Sequence, residues 1–304
     1  MKFTKAFTMI ELIFVIVIMG VLAKFGVNLI AQAYNSFIFS KINNELQANS
    51  ATAVEFITKR LQYRIKGSEI IRNTITNTKA SLQNSISDEN ATVLEWIASD
   101  IDGFRGNSDL SATPYLPNWS GILDIADGNH SMLVSKETNT TKINSLITTL
   151  SDSNMSDVAL YFIGSQENLV TVNPWGYDGN ITDQTKYLHP IKAVIGQETY
   201  LQPNTGANDF TGENVYEYYQ LAWTAYAVAL DYNDTTHNGT LRFYYDYQPW
   251  KGENYLNDGK STILMENVSS FQFRSVGSLI KIQVCVKSLL TNKEYSLCKE
   301  KTVF

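Results

Sequence analysis

One carboxylate lies inside the most apolar stretch of the chain, and that pairing restricts the fold more than any other feature. Lys2 and Lys5 make a short basic leader. From Phe7 the sequence then runs FTMIELIFVIVIMGVLA to Ala23, with Glu11 as its single charge. Lys24 follows, and FGVNLIAQA carries the apolar character on. A bilayer-crossing helix needs about 20 apolar residues. A charge at that depth is costly and usually marks function. Two plain readings leave Glu11 unexplained. A secretory signal would be cut after a small-residue site such as Val21-Leu22-Ala23, but its core should be uniformly apolar. A simple anchor tolerates Lys24, whose long stem can snorkel, yet gives the carboxylate nothing to do.

A third reading accounts for it. The segment Lys5-Ala6-Phe7-Thr8-Met9-Ile10-Glu11-Leu12, with Gly20 further along, resembles the processing site of type IV prepilins and pseudopilins. The resemblance implies cleavage between Ala6 and Phe7 by a prepilin peptidase on the cytoplasmic side, with methylation of the new amine. It also implies that Glu11 pairs with that amine on a neighbouring subunit, which fixes the stagger between subunits. Ala6 stands where the family usually has Gly. A proline common in the family's apolar segment is absent, with Asn28 near its place and Gly26 able to loosen the helix.

Helical spacing continues beyond the apolar run. Ile42, Leu46, Ala53, Ile57, Leu61 and Ile65 recur on one face, while Lys41, Asn44, Glu55, Lys59 and Arg64 fall mostly elsewhere. Gly67 and Ser68 are a natural stop. One helix from Phe7 to about Lys66 would be roughly 90 Å long, too long for a compact domain; a break near Asn28 or Asn35 is the alternative. The expected fold is α+β: a hydrophobic helical spine packed on an antiparallel β-sheet head, pilin-like, with a large middle insertion. Residues 1–6 are read as a cytoplasmic leader, 7–33 as a membrane or filament-core helix and 34–66 as its amphipathic half. Residues 67–304 are the head, β-rich from about 158.

Within the head, residues 67 to about 90 are rich in Asn, Thr and Ser and read as a loop or weak helix. ATVLEWIASDI (91–101) suits a short helix or strand, and 107–130, with its prolines and glycines, an irregular segment. Strands are expected at 158–164, 216–230, 240–247, 261–268, 270–276, 278–290 and 293–304, where β-branched and aromatic residues dominate. The middle, from about 70 to 215, exceeds a minimal head and suggests an elaboration or second subdomain. Leu264-Met265-Glu266-Asn267-Val268 and Phe271-Gln272-Phe273-Arg274 look similar to the C-terminal part of J-type minor pseudopilins and related minor pilins.

Cys285 and Cys298 are the only cysteines and are symmetric about Thr291-Asn292. A hairpin with that turn sets them directly opposite, at a separation a disulfide allows. Such a bridge would add about 2–3 kcal/mol, and it suits an oxidising compartment; two buried thiols are the alternative.

The remaining chemistry is sparse. A net charge of −6 leaves no basic field to hold nucleic acid. His130, His189 and His237 are far apart and form no ligand cluster with the cysteines. No cofactor is expected. Asp231-Tyr232-Asn233-Asp234 with Gly239, and Asp178-Gly179, hint at calcium loops but miss the ligand pattern, and ordinary hairpin turns are the favoured reading. The aromatic residues Tyr216, Tyr218, Tyr219, Trp223, Tyr226, Phe243, Tyr244, Tyr245, Tyr247 and Trp250 read as core on one face and rim on the other, with a carbohydrate- or protein-binding surface as the alternative. No nucleotide loop, zinc-protease or serine-hydrolase motif occurs, so the chain is not expected to be an enzyme.

The resemblance therefore implies a minor pilin or pseudopilin of a type IV pilus or type II secretion pseudopilus. It would sit in the inner membrane as a single-pass protein with its N-terminus cytoplasmic and its head periplasmic, before joining a filament. Its partners would be the prepilin peptidase, other pilin or pseudopilin subunits, the inner-membrane assembly platform and membrane lipid. A pilin-anchored adhesin with a ligand-binding head is the alternative.

Overall fold

A computed structural model describes residues 8–76, 78–83, 91–106, 116–164, 187–204, 210, 215–233, 235, 238–288 and 295–304. The helix α1 (Met9–Gln62) runs unbroken for 54 residues, about 81 Å at 1.5 Å per residue. No proline interrupts it, and neither Asn28 nor Asn35 breaks it. It ends four residues before Lys66, because the chain leaves the helix to join a sheet. Arg64 bridges Ala98, and the Ile65 N–H donates to the Ile97 carbonyl at 2.9 Å. Gly67, at φ +84°, then makes the turn.

Strands begin far earlier than 158. β1 (Ile70–Asn73) and β2 (Lys79–Ser81) lie in the segment expected to be a loop or weak helix. β3 (Ala91–Ala98) is a strand, and the short α2 (Ile101–Arg105) follows it. The polar composition around β1 and β2 misleads, because few apolar side chains (Ile70, Ile71 and Leu82) are buried here and a buried ion pair joins them in holding this end of the sheet. The Arg72 Nε donates to Glu95 across β1 and β3, and the Tyr247 hydroxyl donates to the other Glu95 oxygen at 3.2 Å.

An eight-stranded antiparallel sheet forms the centre of the head. Its order is β13-β12-β11-β10-β9-β3-β1-β2, with β9 (Thr224–Asn233), β10 (Asn238–Tyr247), β11 (Lys260–Val276), β12 (Leu279–Ser288) and β13 (Tyr295–Val303). β11 is one strand where two were expected; a register shift between Val268 and Ser270 bends it, next to Asn267 at φ 60°. A second sheet of five strands, ordered β4-β7-β6-β5-β8, comprises β4 (Leu133–Val134), β5 (Ala159–Phe162), β6 (His189–Val194), β7 (Gln197–Pro203) and β8 (Tyr219–Ala222). The run 216–230, expected as one strand, is split at Trp223: β8 belongs to one sheet and β9 to the other. Residues 116–130 are irregular, as expected.

Alternation along β9 explains the layering. Tyr226, Val228 and Leu230 face α1 with Trp96, Phe243, Ile282 and Val284, against Ala53, Val54, Ile57 and Leu61. Ala225, Ala227 and Ala229 face the other way, where their small side chains let Tyr161, Leu188 and Tyr247 pack closely. The far side of the second sheet carries a third cluster with Ile143 and Ile147 of α3 (Thr140–Leu150). Asp100 ties the layers together. Its carboxylate accepts from the Gly103 N–H at 3.0 Å and from the indoles of Trp119 and Trp223 at 3.1 and 3.3 Å. Burial still pushes its pKa up, against those three donors.

Candidate functional site

Among the described residues, the first half of α1 is the longest exposed apolar segment. Every residue from Thr8 to Ala23 is exposed, including Ile10 at 66%, Phe14 at 64% and Leu22 at 63%. The exposure continues through Leu29, Tyr34, Phe37 and Phe39, and the first buried residue of the helix is Ser50. From Met9 to Val27 only Glu11 and Lys24 interrupt the apolar sequence, and the projecting segment is long and apolar enough to cross a bilayer by length and composition. From Ile42 onward the helix docks progressively, with Ile42 and Leu46 half-buried and Ala53, Ile57, Leu61 and Ile65 buried. Arg64, expected on the polar face, is buried instead. Its guanidinium pairs with Glu69 and donates to the Leu61 carbonyl at 3.0 Å.

Glu11 lies in the first turn of this projecting rod. Thr8 is its N-cap residue, and Glu11 Oε2 accepts from both the Thr8 N–H at 3.0 Å and the Thr8 hydroxyl at 2.9 Å. The carboxylate thus satisfies the orphan donor at the helix start, a capping-box contact. Ala6 and Phe7 lie outside the described residues. Gly20 and Gly26 have open space where a side chain would stand.

At the other end of α1 an apolar groove of about 730 Å³ opens between the helix terminus and the second sheet. Phe104, Trp119, Ile122, Tyr161, Ile163 and Tyr218 line it. Only Tyr218 and Tyr219 of the aromatic run reach this groove; Tyr226, Phe243, Tyr244 and Tyr247 are core. No pattern in the sequence marks this groove, since its walls come from separate loops and strand ends.

Cys285 and Cys298 are directly opposed in β12 and β13 and form a disulfide, with Cα atoms 4.0 Å apart. The Thr291-Asn292 turn lies outside the described residues. Among the described residues no group of three or more His, Cys, Asp or Glu converges on a point. Asp231 instead pairs with Arg242 at 2.8 Å, and the Asn233 Oδ1 accepts from the Thr235 N–H at 2.9 Å, as in an ordinary turn. Asp178 and Gly179 lie outside the described residues. His130 is exposed, His189 is buried between Phe162 and Phe210, and His237 lies outside. No family model, curated protein or solved structure matches the chain.

Proposed function

We propose that this chain is a structural subunit of a type IV pilus or type II secretion pseudopilus, stored in the inner membrane and assembled through α1. The observation that carries the reading is the fully exposed apolar half of a continuous helix, with a carboxylate at its start. Such a surface needs lipid or other apolar helices around it. Lipid covers about 20 residues. The apolar character extends further, through Phe37 and Phe39, which leaves a stretch for neighbouring subunits to cover. The processing motif supplies the rest: cleavage between Ala6 and Phe7 frees an amine at the same depth on every subunit, about one helical turn before Glu11. In the single chain both Thr8 donors go to Glu11 Oε2. Oε1 is the oxygen that takes the neighbour's amine, so the local cap and the contact between subunits coexist. The large head and the C-terminal resemblance favour a minor subunit. The head lies on the periplasmic side, where its disulfide is oxidised.

Intact-mass measurement of protein co-produced with the peptidase should show loss of residues 1–6 and gain of one methyl group; retention of all six residues sinks the processing claim. Glu11→Ala should insert into the membrane normally and fail to enter filaments, by at least tenfold in sheared-filament yield. Wild-type incorporation of that variant would remove Glu11 from assembly. The groove of about 730 Å³ favours a second reading, a ligand-binding head carried on the same stem. Glycan-array binding by the head that is lost in Tyr218→Ala supports it, and no binding to any glycan argues against it.

A further inference from the structure

Asn-x-Ser/Thr triplets occur nine times, at Asn90, Asn118, Asn129, Asn139, Asn154, Asn180, Asn233, Asn238 and Asn267. This is the acceptor pattern for N-linked glycosylation. Six of the nine carry a carboxylate two residues earlier: Asp88, Asp127, Glu137, Asp152, Asp178 and Asp231. With 30 Asp and Glu in 304 residues, chance places one such carboxylate among nine triplets. Turn formation favours Asp, Asn and Ser together, but an Asx turn fixes only the backbone N–H two residues on and does not select the residue type there. An extended peptide sets a side-chain offset: residues two apart share a face, so carboxylate, amide and hydroxyl project in a row at roughly 7 Å intervals. An enzyme that binds its acceptor as a strand reads that row.

Three of the six sites lie on the described surface and are built alike. Asn129, Asn154 and Asn233 are exposed. Each Oδ1 accepts from the N–H two residues on: Ser131 at 2.9 Å, Ser156 at 2.8 Å and Thr235 at 2.9 Å. The carboxylates are exposed as well. Asp127 pairs with Lys136 at 3.2 Å, Asp152 with Lys260 at 2.7 Å and Asp231 with Arg242 at 2.8 Å. Surface pairs of this kind exchange for another cation at little cost. Asn139 differs, since it caps α3 and donates to Glu198. Asn90 and Asn180 lie outside the described residues. Of the triplets without the carboxylate, Asn118 is buried, Asn238 lies in β10 and Asn267 is exposed.

We infer that Asn129, Asn154 and Asn233 are N-glycosylated by a membrane transferase that recognises the carboxylate two residues before the amide. In the transfer the Asn Nδ2 bonds to the anomeric carbon of a sugar carried on a lipid pyrophosphate. The anomeric C–O bond breaks, its electron pair leaves on the pyrophosphate, and one amide proton passes to a base of the transferase. The inference rests on the head lying beyond the membrane, as proposed above.

A non-reducing peptide digest of the protein purified from its native membrane tests both together, because it also reports the state of Cys285 and Cys298. Glycan mass is expected on the three asparagines and on neither Asn118 nor Asn267. Asp231→Ala should lower occupancy at Asn233 at least tenfold while Asn154 is unchanged, and Asp231→Glu should retain it. Bare asparagines in protein with the cysteines bridged overturn glycosylation and leave export standing. Bare asparagines with free thiols overturn both. Glycan on Asn267, or on Asn233 in Asp231→Ala, overturns the role of the carboxylate.

Discussion

His189 is a buried imidazole among aromatic rings, and its burial makes the stability of the head depend on pH. Its ring sits 5.0 Å from Phe162 and 5.7 Å from Phe210, and burial lowers its pKa to about 4. The unfolded chain takes up a proton below about pH 6.5, while the folded head does so only near 4. The folded pKa is depressed, so the stabilisation is full above 6.5 and is lost as pH falls through that window. The slope is about 1.4 kcal/mol per pH unit, for a total of about 3 kcal/mol. Asp246 adds in the same direction at lower pH: burial raises its pKa, but hydrogen bonds from Lys260, Ser153 and the Asp152 N–H outweigh it. Denaturant midpoints of detergent-solubilised protein should therefore fall between pH 7 and 4.5, and His189→Phe should flatten most of that fall. An unchanged slope in the variant would remove His189 as its source.

At the scale of elements, what the sequence revealed depends on how local each pairing is. Cys285 and Cys298 were legible because β12 and β13 are contiguous, and symmetry about one turn fixes their register. The dockable face of α1 was legible from its spacing. β1 and β2 were not, because Ile70, Ile71 and Leu82 are too few to make a local pattern and the ion pair that joins them is long-range. Arg72 reaches Glu95, and its guanidinium also lies 5.5 Å from the Tyr255 ring centroid. Burial and the nearby Glu95 carboxylate push the Tyr255 hydroxyl up to about 12. Arg72→Met would leave Glu95 charged and buried without its cation, a loss of about 3–5 kcal/mol. Glu95→Gln in the same background should recover part of that loss in thermal melts. Equal destabilisation of single and double variants would mean that packing, not charge, holds β1 to β3.

The whole molecule divides into a rod that buries nothing and a head that buries the rod's second half. The long helix and its apolar half could be read directly, since one continuous pattern encodes them. The second sheet could not: its strands span Leu133 to Ala222 in short pieces, and no local pattern shows which of them pair. The same is true of the groove at the end of α1, which exists only once those pieces meet. The division predicts where the chain can be cut. Among the described residues, those before Ser50 supply no buried side chain, whereas Ala53, Val54, Ile57 and Leu61 are all in the core against β3, β9, β10 and β12. A fragment starting at Lys41 should be soluble and should melt within a few degrees of the full chain. One starting at Lys59 loses Ala53, Val54 and Ile57 together, at a cost of several kcal/mol, which is comparable to the whole stability of a typical domain. It should be largely unfolded by near-UV circular dichroism. If the fragment from Lys59 melts like the fragment from Lys41, the helix is not part of the head's core, and the spine must be held by something other than the contacts described above.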